Sequence, residues 1–272
     1  MNIHFKNKEL FNDLNENTVL KCKVGSHLYG LNDENSDNDF LSIYLENDRS
    51  SFLWEHHQLQ FKEDKIDYNF SSLQMFIRNT LTGDATINFE VLWSEEIKDS
   101  ELSWLTDFKH DFVNYNIIKS YLGLAKRDLK YWRKETSNAS KFNASSNKKL
   151  SHFVRGLIFA KMLLEDNFTL DLENRKTFDN GFKNDKDFLI AIKKGDYFGV
   201  KLLAQTLETT MNEMRTELNS RLEKREIRTY MNTTKLELLD ITMKKFIKSK
   251  KDLSELDYGN IFYDVLENGI SY

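Results

Sequence analysis

Gly25-Ser26-His27-Leu28-Tyr29-Gly30-Leu31-Asn32-Asp33-Glu34-Asn35-Ser36-Asp37-Asn38-Asp39-Phe40 is the stretch on which the fold turns. An alternating segment, 18–24, predicts a strand that runs into Gly25-Ser26. After ten intervening residues Asp37-Asn38-Asp39 opens a second strand, 39–45. Side chains alternate along a strand, so Asp37 and Asp39 are expected on one face. Two adjacent carboxylates repel each other and serve packing poorly, but they suit a hard divalent cation that prefers oxygen ligands. Gly25 lets a backbone approach a phosphate closely, and Ser26 adds a hydroxyl beside N–H groups that cradle negative charge. Without a ligand, the same residues would simply form a polar surface turn.

Working outward, 8–16 reads as a short helix and 65–70 as a further strand. Ser71 or Ser72 is placed to cap a helix that carries Leu73, Phe76, Ile77 and Leu81 on one face. The run 88–93 is too short and apolar to assign, because a buried strand and a helical turn look alike there. After about residue 108 the pattern turns helical. Helices are predicted over 113–135, 148–165, 199–224 and 233–248, with a loop over 136–147. The fold class expected is α+β: a small mixed or antiparallel sheet with flanking helices, then a C-terminal helical bundle. The division falls at 1–107 and 108–272, and the lack of a Gly/Ser-rich linker predicts that the two parts pack as one unit.

Composition narrows the class. The 272 residues include 40% apolar side chains, with 20 Phe and 11 Tyr, enough to fill a core. The absence of proline favours long uninterrupted helices. One cysteine, Cys22, excludes a disulfide scaffold and a Cys-rich zinc site; mid-strand, it is expected to be buried and inert. No apolar run approaches the roughly 18 residues of a membrane span, and the first residues lack a signal-peptide pattern. A cytoplasmic location, the host's if the source is viral, is the expectation.

Charge is uneven. Residues 1–64 carry 12 acids against 6 bases, whereas 119–161 carry 11 bases against Asp128 and Glu135. The asymmetry suggests an acidic site in one half and an anion-binding face in the other, or else two solvated helix surfaces. Lys126, Lys130, Arg133 and Lys134 lie within about two turns of one helix and form the candidate nucleic-acid surface.

The glycine-serine turn followed by Asp-x-Asp resembles the nucleotidyltransferase superfamily that includes DNA polymerase β. The run from Gly25 to Asp39 is more specifically similar to the RlaP branch, polymerase-β-like proteins associated with RNA ligases. Leu150-Ser151-His152-Phe153-Val154-Arg155 and Asp187-Phe188-Leu189-Ile190-Ala191-Ile192-Lys193-Lys194-Gly195 look similar to that branch as well. The resemblance implies a third acid on a later strand. Asp67 sits where the superfamily places it, with Glu63 and Asp64 as competitors at the preceding turn. An antiparallel sheet would bring Asp67 beside Asp37 and Asp39. The resemblance then implies two Mg²⁺ ions, with Mn²⁺ as a substitute, held by Asp37, Asp39 and Asp67. An NTP, ATP among the candidates, would be the donor. Its NMP would pass to an acceptor, RNA by the family association with RNA ligases and by the basic segment. A protein or small-molecule acceptor, and a non-catalytic or antitoxin-like binding module, remain as alternatives.

Gly25, Ser26, His27 and Tyr29 are candidates to line the nucleotide pocket, although His27 and Tyr29 read equally well as packing residues. His152 and Arg155, three apart on one helix face, either reach the triphosphate or the acceptor, or are a helix-packing histidine and a surface arginine. His56-His57 has no partner at metal-ligand spacing and is expected to be non-functional.

Overall fold

The computed structural model describes residues 3–4, 8–34, 36–45, 59–63, 65–137, 143–196 and 199–250. The N-terminal strands are β1 (Ile3–His4), β2 (Thr18–Lys23), β3 (Asn38–Tyr44), β4 (Leu59–Glu63) and β5 (Ile66–Ser72). Among the described residues they form a sheet in the order β1-β4-β5-β3-β2. β2 pairs antiparallel with β3, and β4 with β5, while β1–β4 and β3–β5 are parallel. The mixed sheet is as expected, but the antiparallel neighbour expected for Asp67 is corrected: β5 runs parallel to β3. The strand β4 provides the return, pairing with β5 in a tight hairpin so that β5 re-enters beside β3.

Alternation gives the sheet two faces. Phe61, Phe70 and Tyr68 face the helix α1 (Lys8–Glu16), where Phe11 meets all three rings edge-on at 5.1–5.6 Å and Leu14 completes the cluster. Leu20, Cys22, Leu41 and Ile43 face the main core. Helix α2 (Leu73–Thr82) starts where the Ser72 hydroxyl accepts from the Met75 N–H, as the capping pattern predicts. The unassigned run 88–93 is mostly helical, in α3 (Thr86–Val91), followed by α4 (Glu95–Lys98).

Helix α5 (Tyr115–Ser137) and α6 (Ala144–Leu164) pack closely, because Gly156 leaves its neighbour room: a Cβ there would lie 3.2 Å from that of Ala125. Of the loop expected over 136–147, residues 136–137 belong to α5 and 144–147 to α6, while 138–142 lie outside the described residues. Asn143 and Ser146 form a reciprocal capping box that starts α6 at Ala144, a polar signal easily mistaken for loop composition. Helices α7 (Asp185–Lys194), α8 (Val200–Glu223) and α9 (Thr233–Lys250) complete the bundle. One cluster of buried apolar residues extends from Leu20 on β2 to Ile247 on α9, so no break in the core falls near residue 108. No helix among the described residues is long and apolar enough to cross a membrane.

Candidate active site

The turn after β2 holds Gly25 at φ +67°, a left-handed conformation that strains any residue with a Cβ. Pairing of Lys23 with Phe40 carries this turn past Asp39, whose carbonyl accepts the Val24 N–H at 2.9 Å. The Asp39 carboxylate then lies over the glycine. A Cβ on Gly25 would be 2.8 Å from Asp39 Oδ2, so the missing side chain is the space the carboxylate occupies.

Parallel pairing sets Asp39 directly opposite Asp67. On the other side of β5, Lys62 is the register partner of Asp67. Lys62 Nζ lies 3.1 Å from both carboxylate oxygens and donates its hydrogen bond to Oδ2. Oδ1 is buried and accepts none. Asp37 is exposed and falls just before β3 rather than within it. Burial first, then the charges of Asp67 and Asp37, hold the Asp39 carboxyl above its ordinary range; Lys148 and Lys62 oppose the shift. No three His, Cys, Asp or Glu side chains among the described residues form a ready-made metal cage. What the site offers is a pair of carboxylates in register, with a third at its mouth. Such hard oxygen donors suit a cation that also keeps water and phosphate oxygens in its shell.

Ser26 and His27 belong to a single 3₁₀ turn, Gly25–Tyr29, closed by the Leu31 N–H donating to the Ser26 carbonyl at 2.9 Å. His27 is half-buried, and its Nε2 lacks a hydrogen-bond partner. Tyr29 does not line the mouth of the turn. It is 4% exposed and points into the core, where its hydroxyl donates to Glu90 Oε2. Tyr121 donates to Glu90 Oε1 at 2.9 Å. The Arg155 guanidinium stacks 4.3 Å from the Tyr29 ring centroid, and its charge lowers the Glu90 carboxyl against the larger upward effect of burial. Tyr29 and Arg155 therefore brace the turn from behind. For Tyr29 this is the packing alternative, whereas Arg155, whose alternative is a surface arginine, stands against the Tyr29 ring.

One lysine of α7 holds the rest of the loop and a second lies beside it. Lys193 Nζ donates to the Leu31 carbonyl at 3.1 Å and to Asp33 Oδ2 at 2.7 Å. Lys186 comes close to Gly30. The segment 187–195 thus carries a structural task for the glycine-serine loop.

His152 stands on α6 one turn beyond Lys148. Burial first, then Arg155, Lys148, Lys149 and Arg127, push its imidazole down to about 3. It is neutral near pH 7, so it meets an anion as a hydrogen-bonding group and not as a cation. The basic residues of α5 divide between two edges. Arg133 is not free for a phosphate, since it makes two hydrogen bonds to Glu208 on α8, at 2.8 and 2.5 Å. Lys126, Lys130 and Lys134 are exposed.

Lys62, Lys148 and Glu90 were not singled out from sequence. A lone acid inside the apolar run 88–93 was the available signal for Glu90. For Lys62, the signal was its place five residues before Asp67 across a short turn. Cys22 is fully buried, and burial raises its thiol to about 12, in keeping with an inert role. Glu63 is exposed at the end of β4. Asp64 and His56-His57 lie outside the described residues.

A family model described as RlaP, RNA repair pathway DNA polymerase beta family, matches residues 3–241. No curated protein matches the chain.

Proposed function

We propose, for a chain that belongs to the RNA repair pathway DNA polymerase beta family (RlaP), that the Gly25–Asp39–Asp67 site transfers a nucleoside monophosphate from an NTP to a hydroxyl of RNA. Membership places the chain among the nucleotidyltransferases of RNA repair. The donor, the metal and the acceptor are our reading. One observation carries it: Asp39 and Asp67 stand in register on parallel strands, with the Asp39 carboxylate seated over a side-chain-free turn.

The pair of carboxylates in register, Asp67 offset by Lys62 as its one ammonium partner, supports Mg²⁺ as the resident ion. So do the charges of Asp67 and Asp37, which add to burial in making Asp39 hold its proton more tightly. Asp39 and Asp67 would hold it, with Asp37 turned in from the strand mouth. When bound, the ion would neutralise triphosphate charge and lower the pKa of the attacking hydroxyl. The chain's own groups do the positioning. The Gly25-Ser26 turn offers backbone N–H groups to the phosphates, and Lys148, close enough to oppose the shift of Asp39, adds a cation. The acceptor oxygen forms a bond to the α-phosphorus as the bond to the β-phosphate oxygen breaks. Pyrophosphate leaves, and the hydroxyl proton passes to a carboxylate of the pair.

The test is incubation with each α-labelled NTP, Mg²⁺ and RNA oligonucleotides, read as label retained on the RNA. The wild type should transfer from at least one NTP and Asp39→Asn should not. Equal labelling by the two proteins, or no labelling from any NTP, would overturn the reading.

A further inference from the structure

We propose that the acceptor is bound as a single RNA strand along the seam between α5 and α6, with an unpaired base stacked on Tyr131 and phosphates held by Arg127, Lys149 and Lys148. The inference rests on the nucleotidyltransferase reading and names the acceptor's path into that site.

Tyr131 is 48% exposed, and among the described residues it is the one exposed Phe, Tyr or Trp ring. A tyrosine left open on a long helix contributes little to the core, but it offers a flat face to a base. Lys149 of α6 stands 5.7 Å from its ring centroid. Arg127 lies one turn before Tyr131, on the same edge of α5. Its guanidinium is mostly solvent-exposed, with only a 3.5 Å contact to the neighbouring Asp128. That edge faces α6: the Ser145 hydroxyl donates to Glu135, one turn beyond Tyr131, at 3.3 Å.

The opposite edge faces α8. There Arg133 is occupied by Glu208, and Lys126 lies nearer to Arg133 than to Arg127 around the helix, with Lys130 midway between the two. The candidate surface read from the sequence is therefore split: Lys126 and Arg133 turn away from the α6 edge, while Lys134 shares the Arg127 side. Arg127, Lys148 and Lys149 all bear on His152, and Lys148 also bears on Asp39. Lys149 thus stands at the Tyr131 ring, and its chain neighbour Lys148 acts on the acid pair. A ring flanked by cations matches a single strand, whose bases are free to stack while its phosphates follow the charge. An acidic peptide would use the cations and leave the ring without a role.

Binding is tested with the full chain and fluorescein-labelled oligouridylate and oligoadenylate of about 12 nucleotides, by anisotropy, in EDTA without NTP. Tyr131→Ala should weaken binding about tenfold, whereas Tyr131→Phe, which keeps the ring, should stay within about twofold. Arg127→Ala with Lys149→Ala should flatten the salt dependence by about 1.4 in log K against log salt, about 0.7 for each lost phosphate contact. Lys126→Ala should change it less. Thermal melting confirms that each variant is folded. No binding by the wild type, unchanged binding by Tyr131→Ala, or loss confined to Lys126→Ala would each overturn the inference. Binding that depends on Tyr131 without any transfer activity would support this path and overturn only the transferase reading. Transfer to RNA that ignores Tyr131 would do the reverse.

Discussion

Asp39 Oδ2 occupies the volume that a side chain on Gly25 would need, at 2.8 Å from the Cβ position. The glycine thus answers two demands at once, the left-handed backbone at φ +67° and the close approach of a carboxylate. Gly30, in the same loop at φ +63°, answers only the first. A Cβ there would meet the flexible end of Lys186 at 3.6 Å or more.

Gly30→Ala should therefore cost the backbone strain alone, about 1–2 kcal/mol. Gly25→Ala should cost more, because Asp39 must also move, and it should abolish nucleotidyl transfer. Urea denaturation and the labelling assay on the two variants check the contrast. Equal effects would mean that the contact with Asp39 is unimportant.

Asp39→Asn should lose more than the roughly 10–100-fold in activity typical of a group that merely supports a metal ligand. It should not lose stability. Burial and two neighbouring acids hold this carboxyl above its ordinary range, so the folded chain binds the proton more tightly than the unfolded chain. Ionised Asp39 then subtracts stability as the pH rises through its folded value, and an uncharged Asn removes that cost. Denaturation midpoints at pH 7 should be equal to or higher than the wild type. Asp67→Asn should lower turnover more than NTP affinity.

The short polar motif was legible because chemistry fixed both its residue types and its spacing. The strand β2 and the helices α1, α5, α6, α8 and α9 were legible from their apolar periods, whereas α7 was not assigned as a helix. What escaped depended on partners distant in sequence. The direction of β5 is decided by β4, whose residues Leu59–Glu63 carry too short a pattern to stand out. Tyr29 and Arg155 looked exposed to a nucleotide because nothing local revealed that Glu90, on an unassigned helix, would draw them inward. Arg133 looked free because its partner lies 75 residues away.

His152 should give a measurable acid lability. Burial and four surrounding cations lower its pKa to about 3, whereas an unfolded imidazole titrates near its ordinary 6.5. The native state thus binds fewer protons between those values. The stability this reflects is complete above about pH 6.5 and is lost as the pH falls toward 3, by at most about 1.4 kcal/mol per pH unit. His152→Gln should remove that slope. Urea denaturation at a series of pH values should show the variant losing less stability than the wild type between pH 6.5 and 4. Parallel curves would exclude the effect.

Glu90 should link core stability to nucleotide handling. Its carboxylate is 3% exposed and accepts from Tyr29 and Tyr121, and Arg155 supplies the nearby positive charge. Glu90→Leu would leave two buried hydroxyls without an acceptor, at about 1–3 kcal/mol for each unsatisfied group, and would strip Arg155 of its counter-charge. Glu90→Gln keeps the shape and one acceptor oxygen, so it should cost less. Tyr121→Phe removes one donor without touching the turn and should lower stability by about 1 kcal/mol. Because Tyr29 ends the turn that begins at Gly25, the Glu90 variants should also raise KM for NTP, with a smaller change in kcat. Tyr121→Phe should leave KM near the wild-type value. Denaturation midpoints and steady-state transfer on the three variants separate a brace for the turn from ordinary packing. If KM in Glu90→Gln matches that in Tyr121→Phe, the cluster stabilises the core without positioning the loop.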